Sequence, residues 1–212
     1  KKDDCQVSEI MSSPVICISK SESIFEALML MIQKGISHLV ITEKDVPVGV
    51  ISEWDWMTAQ HRHPAALIHS IKSADSAVSL AEIRKEMMPL IEQIFEEEGQ
   101  AESLTRLITE IHDQITCRLI ELGLGEMEKE GRGGTPSEFS WMGMGSEGRR
   151  EQTVITDQDN ALIFKDPGPE RLSQTRQWFL DFAEKVVSGL EICGFPRCRG
   201  NTMAINTELC LT

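Results

Sequence analysis

The chain has 212 residues, of which 41% are hydrophobic and 26% are charged, a composition typical of folded globular proteins. Its 34 acidic and 21 basic residues give a net charge of −13. This charge argues against nucleic-acid-coating and membrane-surface proteins, because both need clustered lysine and arginine. No apolar run approaches the roughly 18 residues of a membrane-spanning helix, and the six cysteines lack paired spacing. We therefore expect a cytoplasmic protein, and because the chain begins with Lys1 rather than Met we expect it to be part of a longer one.

The first predicted unit, residues 1–58, combines helical and strand patterns. Ser19 and Glu22 have the spacing of a capping box, and the apolar residues that follow predict a helix that ends at Gly35. Residues 38–42 and 48–51 are β-rich and are separated by a polar turn. The predicted order is helix, strand, turn, strand and short helix.

Residues 59–74 are predicted to be a connector, and residues 75–130 a helical hairpin. A capping box at Ser79 opens the first helix, Gly99 ends it, and the second helix repeats apolar residues at helical spacing. The hairpin segment holds 14 acidic and 5 basic residues, whereas residues 131–212 hold 11 and 9. Because an acidic surface repels polyphosphate, we expect a phosphate site in the last block.

That last block, residues 131–212, begins with a glycine-rich linker over residues 131–137. Strands are predicted at residues 139–142 and 161–164, and a helix from about 170 to 190. A further strand is expected within residues 201–212. The predicted fold class is α/β (α+β), with a mixed sheet in the last block.

Two interpretations compete for the glycine turn. Gly143 to Gly148 match the dinucleotide fingerprint G-x-G-x-x-G, which predicts an oxidoreductase. That fingerprint needs an acid about 20 residues further on and a second mononucleotide half. Asp157 and Asp159 come too early, and the chain has no room for the second half. This interpretation of the glycine turn is the weaker of the two.

The second interpretation treats the same glycines as a phosphate-binding turn. The backbone amides of Gly145 and Ser146 can face a phosphate. Asp157 and Asp159 lie two apart near a predicted strand, so their carboxylates should point to one face. Two hard oxygen ligands beside a phosphate turn favour a magnesium–nucleotide site. Arg149 can neutralise phosphate charge.

The segment GSEGRREQTVITDQDNALIF resembles the DNA-polymerase-beta-like nucleotidyltransferase superfamily. It is most similar to the nucleotidyltransferases found beside CBS and cyclic-nucleotide-binding domains in bacterial signalling proteins, which are similar to PII-protein uridylyltransferases. The resemblance extends over roughly residues 75–212. It implies that Gly145 and Ser146 bind a nucleoside triphosphate, that Arg149 contacts it, and that Asp157 and Asp159 hold Mg²⁺ or Mn²⁺.

The chain departs from the superfamily pattern in two respects. Gln158 and Asn160 are polar where that superfamily prefers apolar residues. A third carboxylate is usual on a later strand, and Glu208 is the only acidic residue in the terminal stretch. An alternative therefore remains open, namely a nucleotide-binding regulatory module without catalytic activity.

The first unit resembles one CBS repeat over about residues 6–58. The resemblance implies an adenosine ligand such as AMP or ATP, with Ser52 supplying a hydroxyl and Asp55 a carboxylate. The alternative is that Ser52 only caps the helix that follows it. CBS repeats work in pairs, so we expect a partner repeat from a missing segment or from a second subunit.

The main functional hypothesis is therefore transfer of a nucleoside monophosphate to a protein hydroxyl, regulated by adenine nucleotide. The implied partners are a nucleoside triphosphate, an acceptor protein and a second copy held through CBS or helical segments. Neither nucleic acid nor a membrane is expected. His112 is predicted to lie at the surface or at its boundary with the core rather than to be catalytic, and Cys193, Cys198 and Cys210 to be buried free thiols rather than zinc ligands.

Overall fold

The computed structural model describes residues 6–52, 55, 64–98 and 101–212. The chain forms two compact units, residues 1–65 and residues 66–212. Gly99, the predicted end of a helix, lies outside the described residues. Within the described ranges, no helix is long and apolar enough to cross a membrane.

The first unit has a three-stranded sheet in the order β1-β2-β3. β1 is parallel to β2, and β2 is antiparallel to β3. The core forms where the second helix covers this sheet, with Ala27, Met31 and Leu39 at its centre. The elements of the unit are α1 (Val7–Ile10), β1 (Cys17–Ser19), α2 (Ile24–Lys34), β2 (His38–Glu43) and β3 (Val46–Ser52).

The predicted capping box at Ser19 is wrong. Ser19 is the last residue of β1, a strand that the sequence analysis did not predict, and α2 begins five residues later. Its N-cap is Ser23, whose Oγ accepts a hydrogen bond from the Glu26 amide at 3.1 Å. Ser23 and Glu26 have the same S-x-x-E spacing, so two overlapping candidates were present and the strand decided between them.

The helical segment of the second unit is more extensive than predicted. The connector contains a helix, α3 (Pro64–Ser73), and two long helices follow, α4 (Ala77–Glu98) and α5 (Ala101–Lys129). The predicted cap at Ser79 is also misplaced, three residues too late, because Ser76 Oγ accepts from the Ser79 amide at 3.2 Å. The capping residue is therefore the one that precedes Ala77.

The rest of the second unit places a sheet against the helices. Its strands have the order β4-β5-β6, with β4 antiparallel to β5 and β5 parallel to β6. The predicted terminal strand is largely turn, and only two of its residues pair. The elements are β4 (Phe139–Gly143), α6 (Gly145–Gly148), β5 (Asn160–Phe164), α7 (Pro169–Ile192) and β6 (Cys210–Leu211).

The core of the second unit lies between α5, α7 and β5. Phe164 stacks on Phe179 with ring centroids 4.8 Å apart. The helices α5 and α7 approach so closely that a β-carbon at Gly189 would lie 2.7 Å from Leu119 Cδ2. The apolar stripe of the hairpin is therefore buried inside its own unit. The mixture of helices with open mixed sheets confirms the predicted α/β (α+β) class.

Candidate active site

The glycine turn after β4 is in direct contact with one of the two aspartates. Gly145 has φ of +55°, and a β-carbon on it would collide with Asp159 Oδ2. The Met144 amide donates to the Asp159 carbonyl at 2.8 Å. Only a residue without a side chain permits this approach. The fold thus brings the predicted phosphate turn and the predicted metal ligand together from fourteen positions apart.

Burial alternates along the segment that holds Asp157 and Asp159. Asp157 is exposed and Asp159 half-buried, whereas Gln158 and Asn160 are 3% and 2% exposed. The regular strand begins only at Asn160, and Gln158 makes an isolated parallel bridge with Arg197. The alternation that directs the two carboxylates outward therefore extends beyond the strand itself.

The two polar residues that depart from the superfamily pattern have structural partners. Gln158 Nε2 donates to the Val187 carbonyl at 3.1 Å and to the Phe195 carbonyl at 2.8 Å. Asn160 Oδ1 accepts from the Ala204 amide at 2.8 Å. These bonds attach the aspartate segment to α7 and to the loops around Phe195 and Ala204. Polar side chains here satisfy buried backbone groups that apolar ones would leave unpaired.

The predicted basic residue lies at the surface. Arg149 is exposed, and its Nε donates to Glu151 Oε2 at 2.9 Å. This gives Glu151 a contact that the sequence did not indicate. Such an exposed ion pair contributes little to stability, so it does not fix the guanidinium strongly. Ser146 is half-buried in the turn itself.

The prediction for His112 is wrong, because this side chain is buried at 5% exposure. His112 Nδ1 is 2.8 Å from Gln152 Oε1, and its ring meets Phe195 edge-on at 4.4 Å. Burial lowers the pKa of His112 to about 4. Its position offered a signal, because it lies four residues after Ile108 and three before Ile115, on the apolar side of α5.

Two further acidic side chains near the turn were also missed. Burial raises the pKa of Glu147 to about 7, with smaller contributions from Asp113 and Asp159. Burial and the nearby Glu110 raise the pKa of Asp113 to about 6. Glu147 packs over Gly143, where a β-carbon would lie 2.6 Å from its Cδ. Below these values both carboxyls are predominantly neutral, so the charge near the turn depends on pH.

A small cleft at the site is lined by residues from the turn, the aspartate segment and the helical hairpin. The carboxylates of Glu147 and Asp157 line this cleft, together with buried polar side chains from neighbouring elements. These lining residues include His112, Thr116, Gln152, Gln158 and Asn160. The hairpin is therefore part of the wall of the site and not a separate module.

The side chains present fit a weakly coordinated divalent cation. Among the described residues, no three His, Cys, Asp or Glu side chains are grouped closely enough to hold a metal ion by themselves. Glu208, the only acidic residue of the terminal stretch, is exposed and lies in a turn rather than on a strand. Two aspartates suffice for Mg²⁺, because this ion keeps several waters and takes further oxygens from the phosphates of its substrate.

Ser52 and Asp55 in the first unit bond to each other. Asp55 Oδ2 accepts from the Ser52 amide at 2.8 Å and from Ser52 Oγ at 2.7 Å. The Asp55 amide donates back to Ser52 Oγ at 3.3 Å. These bonds lower the pKa of Asp55. This is the reciprocal pattern of a helix cap, which is the structural alternative given for Ser52.

A cleft in the first unit lies elsewhere. It is enclosed by β1, the start of α2 and the sheet, and its lining includes Ile18, Lys20, Ser23, Ile41 and Ile51. Ser52 and Asp55 do not line it, although Ile51 adjoins Ser52. Apolar walls with a few polar groups are typical of small-molecule sites.

Comparison with family models agrees with this geometry. A model described as Putative nucleotidyltransferase DUF294 matches residues 85–212, and a CBS domain model matches residues 7–62. The first match covers more than half of the chain, so the chain belongs to this nucleotidyltransferase family. Comparison with curated proteins found no match, and neither did comparison with solved structures.

The family and the topology both disagree with the dinucleotide interpretation. That fold requires a parallel strand–helix–strand unit around its glycines. Here β4 and β5 are antiparallel, and the helix between them has four residues. The oxidoreductase alternative is therefore excluded on topology.

Proposed function

We propose that the chain transfers a nucleoside monophosphate from a nucleoside triphosphate to a protein hydroxyl, within the bacterial cytoplasm and as part of signal transduction. The contact of Asp159 with the Gly145 turn is the observation that carries this proposal. It joins a backbone that a phosphate can approach closely to a carboxylate that can hold a cation. The family match supports the same reaction class.

The residues have distinct roles in this proposal. The backbone of Gly145 and Ser146 binds the triphosphate, and Arg149 leaves its exposed pair with Glu151 to contact it. Asp157 and Asp159 hold Mg²⁺ or Mn²⁺. When bound, the ion neutralises phosphate charge and makes the attacking hydroxyl easier to deprotonate.

The transfer itself exchanges one phosphorus–oxygen bond for another. The acceptor hydroxyl oxygen bonds to the α-phosphorus, and the bond from that phosphorus to its bridging oxygen breaks. Pyrophosphate leaves, and the hydroxyl proton passes to water. A phenol ionises near pH 10, so a tyrosine acceptor would react more readily than serine or threonine.

We propose that an adenine nucleotide regulates this activity at the CBS unit. The cleft beside β1 supports this, because the isoleucines of its walls suit a flat base and Lys20 lies at its edge. A ribose bound at Asp55 would compete with Ser52 for the carboxylate.

We also propose that the unit pairs with a second copy, since Val46, Val48 and Val50 of β3 are 61%, 53% and 62% exposed.

One observation favours a second candidate, a nucleotide-binding regulator without turnover. No third carboxylate completes a metal group among the described residues, and Glu208 lies in an exposed turn. Such a protein would bind the triphosphate and pass the signal to a partner without forming pyrophosphate. Binding without product would identify it.

Incubation with labelled ATP or UTP, Mg²⁺ and candidate acceptor proteins tests the proposal. We expect label on an acceptor, release of pyrophosphate, and none on the chain itself, because it contains no tyrosine. Mass spectrometry of both proteins provides the readout. Stoichiometric labelling of the chain alone would contradict transfer to a separate protein.

A further inference from the structure

Arg84 of α4 reaches two segments that are far apart in the chain. Its Nη2 donates to the Val154 carbonyl at 2.9 Å. The same guanidinium lies over the Phe195 ring, with Cζ 4.5 Å from the ring centroid. One cation thus connects a helix to the loop before the aspartates and to the turn after α7. Arg84 also lies one residue before the stretch that the nucleotidyltransferase model matches.

Both contacted segments adjoin the aspartate pair. Val154 precedes Asp157 by three residues. On the other side, the Phe195 carbonyl accepts from Gln158 Nε2 at 2.8 Å, and the Gln158 amide donates to the Pro196 carbonyl at 3.0 Å. Gln158 lies between the two aspartates, so whatever holds Phe195 also holds the backbone that carries both carboxylates.

The position of Arg84 is energetically unfavourable for a charged side chain. The side chain is half-buried, and its Nε has no hydrogen-bond partner among the described residues. The turn beside it makes room, because Gly194 has φ of +91° and a β-carbon there would lie 2.9 Å from Arg84 Nη1. Partial burial of a cation is unfavourable unless specific contacts compensate for it. The compensating contacts here are those with Val154 and Phe195.

We propose that Arg84 is a positioning residue for the Asp157 and Asp159 pair. It fixes the segment before Asp157 relative to the Phe195 turn and so positions the backbone that carries the two carboxylates. This inference rests on the proposed nucleotidyltransferase function, in which the two aspartates bind the metal ion. Arg84 touches neither nucleotide nor metal in this account, yet small displacements of metal ligands reduce binding strongly.

The test compares Arg84→Met and Arg84→Lys with Lys85→Met, an exposed neighbour on the same helix. Affinity for Mn²⁺ with UTP is measured by calorimetry, because the first unit is proposed to bind adenine nucleotides, and amide hydrogen exchange is followed at Gln158, Asn160 and Leu162. The Gln158 and Asn160 amides donate to the Pro196 and Thr202 carbonyls, whereas the Leu162 amide donates to the Leu209 carbonyl, fourteen residues beyond Phe195. Melting temperature reports global stability.

We expect Arg84→Met to weaken metal–nucleotide binding about tenfold and to accelerate exchange at Gln158 and Asn160 more than at Leu162. Arg84→Lys should recover part of both, because lysine can donate to Val154 but cannot lie flat on Phe195. Lys85→Met should match the unaltered chain. Unchanged binding and exchange in Arg84→Met would overturn the proposal, and so would uniform acceleration at all three amides.

Two outcomes need separate readouts. Should Arg84→Met fail to fold, Arg84→Lys decides, with local acceleration supporting the proposal and its absence contradicting it. If the unaltered chain binds no nucleotide, the proposed function fails. The exchange pattern then still decides whether Arg84 positions the aspartate segment.

Discussion

Asp159 in the second unit and Asp55 in the first are carboxylates beside small residues, but different contacts hold them. Asp55 accepts two bonds from Ser52, three residues before it. Asp159 packs on Gly145, fourteen residues before it and on another element. The first arrangement is satisfied by the start of one helix. The second requires the whole unit to fold and leaves a carboxylate beside a backbone that phosphate can approach. A candidate binding site therefore differs from a helix cap less in its residue types than in the sequence distance between the groups that the fold brings together.

Gly145→Ala should have the largest effect, because it disrupts the convergent arrangement directly. The new β-carbon would collide with Asp159 Oδ2 at a residue whose φ is +55°. Backbone strain of roughly 1–2 kcal/mol and overpacking of roughly 1–3 kcal/mol predict a loss of about 2–5 kcal/mol in the free energy of unfolding. Triphosphate affinity, measured by calorimetry, should fall about a hundredfold.

Gly133→Ala is the matched control. Gly133 also has positive φ, +74°, but nothing lies within 4 Å of a β-carbon there. It should carry the strain of roughly 1–2 kcal/mol without any loss of binding. Equal affinity in the two variants would show that the contact with Asp159 is irrelevant to binding.

The variant His112→Gln tests the buried side of the second unit through the pH dependence of its free energy of unfolding. The pKa of His112 is lowered from 6.5 to about 4, so between these values the unfolded chain binds more protons than the folded one. The free energy of unfolding should therefore fall as pH drops from 6.5 to 4, by at most about 3 kcal/mol.

In His112→Gln this contribution is absent, and denaturant unfolding at several pH values should show a shallower loss than in the unaltered chain. Asp113 and Glu147 act in the opposite direction, since their pKa values are raised to about 6 and about 7. Only the difference between variant and unaltered chain is therefore informative. An identical pH slope in both would contradict a neutral, buried His112.

Much of the site could be predicted from local spacing. Asp157 and Asp159 are less buried than Gln158 and Asn160 because side chains alternate along extended backbone, and this needs no tertiary information. Gly145 as a turn glycine was equally local. The predicted strands and the long helix after Pro169 followed from periodicity, and the structure gives them nearly the same bounds.

What could not be predicted depended on tertiary contacts. His112 was assigned to the surface or its boundary because nothing local shows that Phe195, 83 positions later, covers it. Arg84 was one basic residue on an acidic helix until the fold brought Val154 to it. The caps at Ser23 and Ser76 were missed because each has an alternative serine nearby, and only the neighbouring strand or helix decides between them.

Ser52→Ala should have the smallest effect. Loss of a helix cap typically costs about 1 kcal/mol, and here it removes the hydroxyl bond to Asp55 Oδ2 while the bond from the backbone amide of residue 52 remains. Thermal unfolding should show this loss, with triphosphate affinity unchanged. If adenine nucleotide binding disappeared while stability was unaltered, Ser52 would be a ligand contact and not a cap.

The most direct test of the account is calorimetry of ATP and UTP binding, with and without Mg²⁺, to the Asp157→Asn/Asp159→Asn variant. Glu208→Gln is the matched control, because this acid is exposed and lies in a turn. We expect the unaltered chain and Glu208→Gln to bind UTP only when the metal is present, and the double variant not to bind UTP, whereas ATP also has the proposed adenine-nucleotide site of the first unit. Undiminished, metal-dependent binding by the double variant would contradict the assignment of these two aspartates.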